Sequence, residues 1–160
     1  MLTDLRLAEQ RAKGEGGRNA FCLTLGKRAG GVTHLVGKWR LDTGMEGDMG
    51  LLLDLRDLIA GQVSRRAAYL LAKSLRDLPA NKDALAAALN YRFGRQALDE
   101  TLNPRELAER LACAAVEHHT NHSKRRDVEW AGPNRWLRDL LLTAEFLARE
   151  GRVATKKLGD

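Results

Sequence analysis

From Leu51 onward the apolar residues recur every three or four positions, and most are leucine or alanine. That spacing lines one face of a helix, whereas a strand would place apolar residues at every second position. Leu51, Leu52, Leu55, Leu58 and Ile59 mark a first helix that Gly61 can stop. A second is expected over 62–78, burying Val63, Ala67, Leu70, Leu71, Ser74 and Leu75 before Pro79 ends it. A third runs from Lys82 to Phe93 through Leu85, Ala88 and Leu89, with Gly94 as its closing residue. Asn103 as cap, Pro104 at the first helical position and Glu106 three after the cap mark the start of a fourth. Its apolar face is Leu107, Leu111, Ala114, Ala115 and His118. The last opens at Gly132-Pro133, buries Trp136, Leu137, Leu140, Leu141, Ala144, Leu147 and Ala148, and is expected to close at Gly151.

Aromatic residues are 5% of the chain, so its 44% hydrophobic content must build a core from Leu and Ala. Both are strong helix formers, and the β-branched and aromatic residues that an all-β sandwich needs are scarce. The expected fold is all-α, a compact bundle of about five to six helices within one domain over 1–151, followed by a short basic tail over 152–160. Residues 14–50 hold ten glycines and are expected to be irregular. There Phe21, Leu23 and Leu25 alternate as a strand would, with 32–41 as a possible partner. A short helix over 18–25 within a loop is the preferred reading.

The formal charge is +6 over 160 residues. It divides into a basic stretch over 1–40, an acidic one over 41–64 (Asp42, Glu46, Asp48, Asp54 and Asp57 against Arg56), and a basic remainder. Excess positive charge is a statement about partners. Uncharged apolar runs such as 49–53 are too short to span a bilayer, and Asp4, Arg6 and Glu9 interrupt any leader at the start. A cytoplasmic protein without a membrane partner is expected. In that compartment Cys22 and Cys113 are expected as two reduced thiols used as small hydrophobes.

Three basic patches are candidates for contact with an anionic polymer. The second helix carries Arg65, Tyr69, Lys73 and Arg76 in one row, flanked by Arg66. The third ends in Tyr91, Arg92 and Arg95, and the loop before the last helix holds Lys124, Arg125 and Arg126, followed by Arg135 and Arg138. Cations spaced along a helix suit phosphates, and Tyr69 and Tyr91 offer faces on which an unpaired base can stack. RNA or single-stranded DNA is expected ahead of specific duplex DNA, with copies of the chain and other protein subunits as further partners. A rival reading is a dimeric DNA-binding regulator or packaging protein of phage or plasmid type. Its helix-turn-helix would lie near 82–102, with a short second helix from Gln96.

Catalytic patterns are weak. His118, His119 and His122 crowd one helix end, and 118 and 122 lie one turn apart, so a small zinc-dependent hydrolase is a third reading. Its helical Glu is misplaced, since Glu117 precedes the first histidine. The stretch Gly31 to Trp39 fails as a phosphate loop: it has one residue too many between glycines and Trp where Ser or Thr belongs. No catalytic residue, cofactor or metal is assigned. In size, composition and helix layout, an Arg-rich helical chain ending in a Trp-containing amphipathic helix resembles the small subunits of CRISPR effector complexes. The resemblance implies a non-catalytic subunit contacting nucleic acid through basic faces, and it carries over no individual residue.

Overall fold

The computed structural model describes residues 2–26, 31–40, 47–120 and 132–157. In chain order they form α1 (Leu2–Arg11), a π-helical turn (Ala12–Gly16), β1 (Ala20–Gly26), β2 (Val32–Lys38), α2 (Asp48–Gly61), α3 (Arg66–Ser74), a 3-10 turn (Leu75–Asp77), α4 (Lys82–Arg95), α5 (Arg105–His119) and α6 (Pro133–Lys157). The fold is mainly α, six helices with one antiparallel hairpin.

Helix α6 is the spine. Its Trp136, Leu137, Leu140, Leu141, Ala144 and Ala148 are buried, and α2, α3, α5 and β2 pack around them. α3 runs antiparallel to α6: the Tyr69 hydroxyl donates to Glu145 near one end, and Asn134 Nδ2 donates to the Leu75 and Leu78 carbonyls at the other. α4 lies against α3 and α5, burying the stripe Leu85, Leu89 and Phe93.

The hairpin corrects the expectation of a helix over 18–25. Ala20 pairs with Lys38 and Gly26 with Val32, so Phe21, Leu23 and Leu25 share the core face of β1 with Thr33, Leu35 and Gly37 of β2. Alternation won because a core residue waits on that face: Leu35 is fully buried and Phe21 nearly so. Two glycines are required by space. A Cβ on Gly37 would lie 2.6 Å from Phe21 Cζ, and one on Gly47 would lie 2.1 Å from the Trp39 carbonyl oxygen.

Several boundaries also differ. The second helix begins four residues late, at Arg66, and ends in the 3-10 turn. Helix α4 runs past Gly94 to Arg95, and α6 runs past Gly151 to Lys157. Neither glycine takes the positive φ of a left-handed cap, so neither acts as a stop. Pro104 is the flanking residue of α5 rather than its first helical one, with the Arg105 N–H donating to Asn103 Oδ1 at 3.3 Å. Residues 96–104 are bridge and turn, so the short second helix of a helix-turn-helix from Gln96 is absent. Helix α1 was not foreseen.

Candidate nucleic-acid interface

The row along α3 is divided by its surroundings. The Tyr69 hydroxyl donates to Glu145 Oε2 at 2.7 Å, and the Arg65 guanidinium lies 3.8 Å from Glu145 Oε1. Glu145 is only 4% exposed, so these two groups compensate a buried carboxylate. Burial, and then the hydrogen bond and charge of Glu145, push the Tyr69 phenol above its usual range. Arg66 and Lys73 are exposed on α3, with Leu70 half-buried between them, at spacings of four and three.

Helix α4 supplies the second half. Opposite its buried stripe stand Tyr91 and Arg95, one turn apart, with Arg92 half-buried beside them. Tyr91 is 63% exposed. An isolated antiparallel bridge, Val63 to Ala97, ties the start of α3 to the end of α4. It is closed by the Ser64 N–H on the Gln96 carbonyl at 2.8 Å and the Leu98 N–H on the Gln62 carbonyl at 2.9 Å. The start of α3, with Arg66, and the end of α4, with Arg92 and Arg95, are thereby held at one corner of the backbone, with Lys73 further along α3. None of these four forms an ion pair with a described residue. Arg92 and Arg95 also sit favourably at the negative end of the α4 dipole.

The remaining predicted residues separate. Arg135 holds Asp139 at 2.9 Å and Arg138 lies 3.8 Å from the same carboxylate, which is 2% exposed. Both charges offset a buried acid. Arg76 is exposed on the 3-10 turn. Lys124, Arg125 and Arg126 lie outside the described residues, as does His122.

A buried polar centre escaped the sequence reading. Asp48, the first residue of α2 and fully buried, accepts the Lys38 backbone N–H at 2.7 Å and His119 Nε2–H at 3.0 Å on one oxygen. The His119 ring stacks on Trp136 with centroids 4.0 Å apart and planes 7° apart, and Trp136 Nε1–H donates to the Val36 carbonyl at 3.0 Å. The core histidine is therefore His119, whereas His118, the one placed on the apolar stripe from sequence, is exposed. Asp48 had been counted as part of an acidic segment, and nothing local to it signals a partner at position 119.

His119 is turned into the core against Asp48 and so leaves the histidine cluster, while the 118/122 pair of the zinc reading includes His122, which lies outside the described residues. Among the described residues no group of three or more His, Cys, Asp or Glu is placed to hold a metal. Cys22 and Cys113 are half-buried free thiols. Burial raises the Cys22 thiol, and a hydrogen bond to Glu117 together with burial raises Cys113, the opposite of what activates a nucleophile. No described helix is long and apolar enough to cross a membrane. Comparison with protein-family models, curated proteins and solved structures found no match to this chain.

Proposed function

We propose that the chain is a non-catalytic nucleic-acid-binding subunit of a ribonucleoprotein assembly, similar in role to the small subunits of CRISPR effector complexes. The observation that carries this reading is the α3–α4 corner, where Arg66, Lys73, Arg92 and Arg95 are left without an acidic partner among the described residues, beside exposed Tyr91. Arg65, Arg135 and Arg138 are matched to buried carboxylates, whereas the cations of this corner are offset by no described acid and are available to phosphates.

Four phosphate contacts on a single strand give a salt slope of about −3 and non-specific affinity of roughly 10⁻⁴–10⁻⁶ M at physiological salt. That is weak for a solitary protein and adequate for one held in an assembly. Fluorescence anisotropy with labelled RNA, single-stranded DNA and duplex of unrelated sequences tests it. The quadruple variant Arg66→Glu, Lys73→Glu, Arg92→Glu, Arg95→Glu should lose binding at least tenfold with its helical circular dichroism unchanged. Undiminished binding would remove the corner, and strong preference for one duplex sequence would favour the regulator reading instead.

A further inference from the structure

The hairpin is one strand short of covering its own core face. Its register makes Phe21–Gly37, Leu23–Leu35 and Leu25–Thr33 the hydrogen-bonded pairs, in phase with the Trp39 N–H on the Asn19 carbonyl. The alternate residues of each strand therefore turn their backbone groups outward. On β2 that outer edge is used: Asp48 takes the Lys38 N–H and Trp136 takes the Val36 carbonyl. On β1 the outward N–H and C=O groups of Ala20, Cys22, Thr24 and Gly26 have no partner among the described residues.

Burial follows the same asymmetry. On the core face Thr33, Leu35 and Gly37 of β2 are buried, while Leu23 and Leu25 of β1 are only half covered. Helix α1, which packs on β1, leaves Leu5 62% and Leu7 49% exposed. The edge Ala20–Gly26 contains no charge and no proline, the usual devices that keep an edge strand from pairing.

We propose that β1 pairs antiparallel with β1 of a second copy of this chain across a twofold axis at Leu23, making one four-stranded sheet. The outward set 20, 22, 24 and 26 is symmetric about position 23. Ala20 then meets Gly26 and Cys22 meets Thr24 of the other copy, and every outward donor and acceptor finds a partner. The non-hydrogen-bonded positions, where side chains approach closest, bring Leu25 onto Phe21 and Leu23 onto Leu23, covering the leucines now half exposed. With no charge in the window, nothing repels like from like. The surface is separate from the α3–α4 corner and does not depend on nucleic-acid binding.

Sedimentation velocity of the full chain, from micromolar to hundreds of micromolar, should show a monomer–dimer equilibrium. Thr24→Pro removes an outward N–H and the hydroxyl's exposed bond to His34 Nδ1 but no bond of the backbone ladder, so it should remain folded and monomeric. In a Cys22→Ser, Cys113→Ser background, Leu23→Cys should give a disulfide-linked dimer on mild oxidation, since such facing residues lie about 4.5 Å apart between Cα atoms. Val32→Cys on β2 in the same background should not. A wild-type chain that stays monomeric throughout overturns the proposal, even if the edge accepts a strand from another protein. So does a Thr24→Pro variant that dimerises as well as wild type, or Val32→Cys linking as readily as Leu23→Cys.

Discussion

At the scale of single residues, two buried acids are bound to groups that were first noticed for other reasons. Tyr69 is offered by sequence as a stacking face, yet its hydroxyl serves Glu145 across 76 positions of chain. Its phenol pKa is raised in the fold by burial and by that carboxylate, relative to about 10 in the unfolded chain. The associated stability is complete below the unfolded value and is lost as pH rises through the folded one. Thermal midpoints of wild type should therefore fall in alkali more steeply than those of Tyr69→Phe. His119→Ala strands the Asp48 carboxylate with only the Lys38 N–H. It should cost about 3–5 kcal/mol near neutral pH, read as a lowered urea midpoint with unchanged m-value.

At the scale of elements, helices over the second half of the chain were legible because their periodicity is a property of neighbouring residues. Their ends were less so. Gly94 and Gly151 look like stops, yet a glycine ends a helix only when its φ turns positive, and tertiary packing leaves both helical. The hairpin was legible as alternation and lost to a helix reading, since seven residues carry too little pattern to outvote a glycine-rich context. What fixes it is contact: Phe21 over Gly37, and Trp39 over Gly47. Gly47→Ala should thus destabilise by about 1–3 kcal/mol although its φ of −75° suits any residue, because the carbonyl of Trp39 occupies the space. Chemical denaturation measures this directly, and a neutral result would place the turn elsewhere.

At the scale of the whole molecule, charge counted along the chain differs from charge available at the surface. The stretch over 41–64 is acidic when counted along the chain. In the fold Asp48 is buried, Asp54 holds Arg110 at 2.9 Å and Asp57 holds Arg56 at 2.7 Å, so its described acids are answered within the chain. The open β1 edge offers self-association through backbone groups rather than through those acids. The two proposed surfaces should act independently. Thr24→Pro should keep the salt slope and affinity of nucleic-acid binding per chain, and the quadruple Glu variant should keep the dimer. Loss of both properties in either variant would show one shared surface and contradict this division.

The sequence by itself determined the helical class, the apolar faces of five helices and the excess of positive charge, since composition and 3.6-residue periodicity are local quantities. Only the tertiary structure decided which cations remain available. Arg65, Arg135 and Arg138 were matched to buried carboxylates by packing, while the helix ends that carry Arg66, Arg92 and Arg95 were brought together by a bridge between residues 63 and 97. It likewise chose His119 over His118 for the core, through a contact to Asp48 spanning 71 positions. A charge's value to a partner depends on what already neutralises it, and that is set by chain segments far apart in sequence.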